Sequence, residues 1–166
     1  MTSSGKYARI ELERRFLLSA MEEEVRTLPK RAILDNYITG TNLRLRQVEN
    51  NGDQVYKLTK KSKLSRGSEQ ITTIYLSSDE YKLLSKLPAV VVSKLRFITD
   101  YENVTIGIDV YGSETEELWL AEIEFESTET MNSFIMPLSH QGEVTGVDEF
   151  SGFALANRFG FLNRRF

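Results

Sequence analysis

"RIELERRF", residues 9–16, decides how the rest of the chain is read. With a period of two, Arg9, Glu11, Glu13 and Arg15 fall on one face of a strand, and Ile10, Leu12, Arg14 and Phe16 on the other. Successive side chains of a strand point to opposite sides, so a charged row stands back to back with a mostly apolar one. The same habit returns along the chain. "NLRLRQV" (42–48) sets Arg44 and Arg46 against Leu43 and Leu45, and "VYKLTKK" (55–61) puts Lys57 and Lys61 on one face. "SKLRF" (93–97) sets Lys94 and Arg96 against Leu95 and Phe97, while "VTIGIDVYG" (104–112) carries Asp109 amid apolar neighbours. In "ELWLAEIEFES" (117–127), Glu122, Glu124 and Glu126 alternate with Ala121, Ile123 and Phe125.

Two readings account for six such strands. One is a one-sided antiparallel sheet with its charged face in water. The other is a sheet curled into a barrel whose interior is the charged face. Small barrels usually fill their interior with apolar side chains, so a charged lumen implies a charged ligand. Converging Lys and Arg side chains suit phosphate oxygens, and glutamate pairs two residues apart suit a divalent cation bridging protein to phosphate.

Between these strands, "NNGD" (50–53) predicts a hairpin turn. "SKLSRGS" (62–68) predicts a polar, mobile loop, and "EQITTIYL" (69–76) a further strand. Helices are expected over "LSAMEEEVRTLP" (18–29) and over "SSDEYKLLSKLP" (77–88), where Ser77 and Glu80 form a capping-box pattern. Others are expected over "STETMNSFIMP" (127–137) and toward the end of residues 142–160. Strands joined by short turns, with helices between some of them, indicate an α+β fold.

The chain has 166 residues, no cysteine, one histidine (His140) and a net charge of −3. That length suits one domain over 1–166. The mild acidity argues against general nucleic-acid binding. Without thiolates or a histidine cluster, any metal is held by carboxylates, which favours Mg²⁺ or Mn²⁺. No stretch has the length of a membrane span, and residues 1–9 lack the apolar run of a secretory signal, so a cytoplasmic location is expected. His140 reads as a surface residue, Trp119 as core, and the basic, aromatic tail 157–166 as packed on the fold.

"IELERRF" resembles the E-x-E-x-K signature of the CYTH domains, the triphosphate tunnel metalloenzymes. "NLRLRQV", "LTKK", "SKLRF", "GIDVYG", "LAEIEF" and "GEVTG" follow in the order of that family's comparable segments, so the resemblance runs from about residue 8 to residue 157. It implies an eight-stranded antiparallel β-barrel forming a charged tunnel, with a few peripheral helices, that binds a triphosphate and Mg²⁺ or Mn²⁺. Carried over residue by residue, Glu11, Glu13, Glu122 and Glu124 are metal ligands and Asp109 a tunnel carboxylate beside them. Arg44, Arg46, Lys61, Lys94 and Arg96 grip phosphate oxygens, with Lys57 as a further candidate.

The implied activity is hydrolysis of inorganic tripolyphosphate or a small organic triphosphate. Glu13 or Glu69 would orient the attacking water, and Lys94 or Arg15 would assist the leaving side. Cyclisation of ATP, as in the class IV adenylyl cyclases, and binding of polyphosphate or nucleotide without turnover are the alternatives. A homodimer is a reasonable assembly by the same resemblance. Four positions depart from the pattern, one of them Glu149 in "DEF" (148–150), where a basic residue is usual. Arg15 replaces lysine, a planar fork in place of a compact ammonium. Ile71 stands where many relatives have a second glutamate after Glu69. Phe153 stands where the family tends to place a basic residue, just before "ALA" (154–156).

Overall fold

The computed structural model describes residues 6–19, 23–113 and 116–163. The alternating segments form β1 (Arg9–Leu18), β2 (Lys30–Ile38), β3 (Leu43–Asn50), β4 (Asp53–Ser65), β5 (Ser68–Leu76), β6 (Ala89–Tyr101), β7 (Val104–Ser113) and β8 (Glu116–Phe125). Short strands β9 (His140–Glu143) and β10 (Phe161–Asn163) and three helices complete the described fold: α1 (Ser78–Leu84), α2 (Thr128–Ser133) and α3 (Gly152–Phe159). The neighbour order β6-β2-β3-β4-β5-β1-β8-β7 returns to β6, so eight antiparallel strands close into a barrel. β9 pairs with the end of β1, and β10 with the start of β6.

Register decides which charges meet. Arg15 lies opposite Glu122, Glu13 opposite Glu124, Glu11 opposite Glu69, Asp35 opposite Arg46 and Arg96 opposite Asp109. Residues directly opposite share a face, and these charged rows face into the barrel. The solvated one-sided sheet is therefore not the fold. The apolar rows point outward, and most of those on β1, β7 and β8 are covered, whereas Ile10, Ile74 and Leu95 stay exposed. Phe16, Phe97, Ile106, Ile108, Trp119, Ile123 and Phe125 form one core beneath Val25, Phe134 and Met136. Each such side chain contributes about 1.5–3 kcal/mol when fully buried. On the opposite wall, α1 stacks Tyr81 on Tyr56 of β4 with ring centroids 4.6 Å apart. Its capping box forms as the sequence predicts, Ser77 accepting from Glu80 N and Glu80 accepting from Ser77 N.

Part of the interior is apolar. Val90, Val92, Tyr111, Leu118 and Leu120 pack there against Leu155 and Ala156 of α3. That plug leaves the charged section as the open part of the lumen.

Three expectations change. The helix expected over 18–29 is instead the end of β1 and a 3-10 turn at Glu23–Thr27, residues 20–22 lying outside the described ones. Burial of Phe16 and Leu18 keeps the strand period running, and pairing with β8 and β9 holds it. The mobile loop expected at 62–68 is a tight hairpin at Arg66–Gly67. Gly67 has φ +72°, and a Cβ there would lie 2.8 Å from the Glu13 carbonyl oxygen, so the turn needs glycine. The helix expected over 127–137 is the shorter α2, after which Phe134 and Met136 extend over the outer core. The tail packs on the barrel as β10 through Asn163, and residues 164–166 lie outside the described ones.

Candidate active site

The interior holds a cavity of about 500 Å³. Arg15, Arg44, Lys61, Lys94, Glu69 and Glu122 line its charged part, and Tyr37, Leu43, Gly152 and Phe153 line its mouth. Strand periodicity explains the first set, because each of these residues lies on the inward row of β1, β3, β4, β5, β6 or β8.

Four ion-pair groups organise these side chains. In the first, Asp109 is fully buried and accepts from Arg96 Nε at 2.6 Å and Nη2 at 2.7 Å. The Lys94 ammonium also donates to Asp109, and to the Tyr111 hydroxyl at 3.0 Å. Arg96 Nη2 continues to Glu122. Gly107 makes this possible: a Cβ there would lie 3.3 Å from the Arg96 side chain. In the second, Arg46 grips Asp35 with Nε at 2.6 Å and Nη2 at 2.7 Å, a bidentate geometry. Arg44 Nε lies 3.8 Å from Asp35 and is buried without an acceptor.

In the third, Arg15 Nε donates to Glu13 at 2.5 Å and stands 3.5 Å from Glu122, while Arg15 Nη1 donates to the Phe150 carbonyl at 3.0 Å. In the fourth, Lys61 Nζ joins Glu11 at 2.6 Å and Glu69 at 2.9 Å. Lys57 lies opposite Arg46, its ammonium 5.2 Å from the centre of the Tyr75 ring. Glu124 lies opposite Glu13 but is exposed. His140 is exposed at the barrel's outer surface, edge-on to Phe16, away from these groups.

The electrostatics follow from burial and pairing. Burial opposes ionisation of Asp35, but Arg46 and Arg44 overcome it and hold the carboxyl far below its ordinary range. Burial likewise opposes Glu122, yet Lys94, Arg15 and Arg96 hold it well below the usual value. Glu13 moves the other way. Burial raises its carboxyl, Arg15 works against that, and the negative charges of Glu122 and Glu11 add to it. Burial lowers Lys94 in spite of Asp109 and Glu122.

Among the described residues no three carboxylates gather around one point; Lys61 is paired with Glu11, Arg15 with Glu13 and Arg96 with Glu122. In kind, the donors fit a hard divalent ion. Glu11, Glu13 and Glu122 are oxygen donors on adjacent strands, and such an ion would supply positive charge beside Glu13, which burial raises first and the neighbouring Glu122 and Glu11 raise further. Asp109, expected among the metal carboxylates, fits less well, since both its oxygens are committed to Lys94 and Arg96.

Sequence reasoning passed over Asp35, Tyr37 and Tyr111. Asp35 had a readable signal, a lone acid inside the apolar run "AILDNYI" facing the paired arginines of the next strand. Tyr111 shares the parity of Asp109 two residues earlier.

No protein-family model matches the sequence, and no curated protein matches it. Solved structures do. The inorganic triphosphatase NE1496 superposes with a TM-score of 0.57 at 22% identity, over 88% of this chain and 93% of that one. The bh2851 protein of Bacillus halodurans, provisionally assigned as an adenylate cyclase, gives 0.54 at 19% identity over 76% and 86%. The PH1819 protein of Pyrococcus horikoshii OT3 gives 0.52 at 23% identity over 74% and 82%. The chain thus has the CYTH, or triphosphate tunnel, fold: a closed antiparallel barrel around a charged lumen.

Proposed function

We propose that this protein hydrolyses a triphosphate inside the barrel, with Mg²⁺ or Mn²⁺. The observation that carries the reading is the convergence of Arg44, Lys61, Lys94 and Arg15 on one cavity that also holds Glu69 and Glu122. Phosphoryl transfer asks a protein mainly for positioning and charge neutralisation, which such a lumen supplies. The buried Arg44 Nε without an acceptor is a donor ready for a phosphate oxygen. The triphosphatase among the fold neighbours supports the same reading.

Arg44, Arg46, Lys61 and Arg96 bind phosphate oxygens, with Lys57 on the same inner row. Glu11, Glu13, Glu122 and Glu124 would hold the divalent ion, which neutralises phosphate charge when bound. Glu13, on the inner row beside Glu122, orients the attacking water; Glu69, tied to Lys61, is the second candidate. Lys94 meets charge developing on the leaving phosphate, with Arg15 beside it. Asp109 orients Lys94 and Arg96.

The test is phosphate release from tripolyphosphate with Mg²⁺ or Mn²⁺, beside the double variant Glu11→Gln, Glu13→Gln. Metal-dependent turnover reduced at least about a hundredfold in the variant is expected. Equal rates for the two proteins would overturn the reading.

A further inference from the structure

The cavity changes character toward its mouth. Its cations stop at Arg44 and Lys61, and beyond them the lining is Tyr37, Ile38, Thr41, Asn42, Leu43 and Phe153. A bare polyphosphate is charged along its whole length and gains nothing from the Ile38, Leu43 and Phe153 part of that lining, because each oxygen that leaves water needs a donor. We infer that this mouth holds a flat ring carried by the triphosphate, with Phe153 and Tyr37 as its walls, so that the preferred substrate is an organic, ring-bearing triphosphate. The inference rests on the triphosphatase reading of the charged interior and adds the substrate class.

Phe153 is 52% exposed, although the same helix buries Leu155 and Ala156 almost completely. Its ring is therefore no part of the core. It is nevertheless held in place. Arg15 donates to the Phe150 carbonyl, Ser151 caps the helix by accepting from Ala154 N, and Gly152 sits directly against Tyr37. A Cβ on Gly152 would lie 2.0 Å from the Tyr37 hydroxyl, so a larger residue there would push the Tyr37 ring aside. The Tyr37 and Phe153 rings stand at 73° with centroids 6.1 Å apart, which makes an apolar corner opening on the cavity. A preorganised aromatic corner beside a phosphate-binding section binds a planar ring by stacking without regard to its hydrogen-bonding pattern. Arg15 thereby links the two sections, pairing with Glu13 inside and fixing the turn that presents Phe153.

The test is calorimetric binding of two probes, tripolyphosphate and a non-hydrolysable β,γ-imido analogue of ATP, to the wild type, Phe153→Ala and Phe153→Lys. The readout is the ratio of the two dissociation constants. The wild type is expected to favour the ring-bearing probe, Phe153→Ala to lose about tenfold of that preference, and Phe153→Lys to move it further toward tripolyphosphate. A wild type that favours tripolyphosphate, or a ratio that Phe153→Ala leaves unchanged, overturns the inference. Phosphate release from ATP and tripolyphosphate separates it from the reading beneath. Ring-selective binding without release removes the hydrolysis and keeps the ring site, whereas release from both with no ring preference does the opposite. Failure of both probes to bind removes both.

Discussion

The ion pairs around Asp109 and those around Lys61 use the same residue types and differ in their access to water. The side chains of Asp109 and Lys94 are 0% and 3% exposed, whereas those of Lys61 and Glu69 are 24% and 31% exposed. Charges sealed from water depend on their partners, because desolvation is recovered only through the pair. Charges that keep contact with solvent can exchange partners at little cost. One barrel thus carries a tightly paired cluster on the wall of β6 and β7, which holds Lys94 and Arg96 in place, and a more exchangeable group where β4 and β5 meet β1.

That contrast can be broken by substitution. Asp109→Asn leaves the Lys94 and Arg96 cations without their carboxylate and is expected to cost about 3–5 kcal/mol in urea unfolding. A loss under about 1 kcal/mol would show that water reaches this cluster, and the contrast would fall.

Asp35→Asn removes the charge and one of the two oxygen acceptors of Arg46 and is expected to cost about 3 kcal/mol, with a signature in acid. The folded carboxyl is held far below the unfolded value of about 3.9, so the unfolded chain takes up the proton first as pH falls. Its contribution is therefore full above that value and is lost as pH falls toward the folded one. Stability against pH should decline less steeply below about pH 4 in the variant than in the wild type; parallel curves would mean the pair is not retained.

Lys61→Gln should change stability least, by about 1–2 kcal/mol, because Glu69 keeps contact with water and Arg9 remains near Glu11, although the sealed Glu11 loses its closer partner. Its effect belongs to the ligand, with tripolyphosphate binding weakened about tenfold by calorimetry. A variant that unfolds readily but binds unchanged would reverse the assignment of the two groups.

Much of this was legible in order along the chain. The period of two in "RIELERRF", "NLRLR" and "LAEIEF" places charges on one face whatever the sheet does next, because strand pleating alternates side chains by geometry alone. The capping box at Ser77 and the hairpin at 50–53 are equally local and formed as read. The hairpin at Arg66–Gly67 was not legible, since the need for glycine comes from the Glu13 backbone, more than fifty positions away in sequence. Nor was the 3-10 turn at Glu23–Thr27, where burial of Val25 against the outer core overrides the helical character of the glutamate run.

The site divides in the same way. Sequence alone determined which residues carry charge and which share a face, since composition and the pleat leave no freedom there. Tertiary structure decided that the shared face is the inside of a closed barrel, that Asp109 and Asp35 are sealed partners of Lys94, Arg96 and Arg46, and that Phe153 meets Tyr37 at the mouth. Closure depends on β1 pairing with β5 and β8 and on β2 pairing with β6, and the mouth on α3 docking beside β2, contacts between residues far apart in the chain that no local pattern encodes.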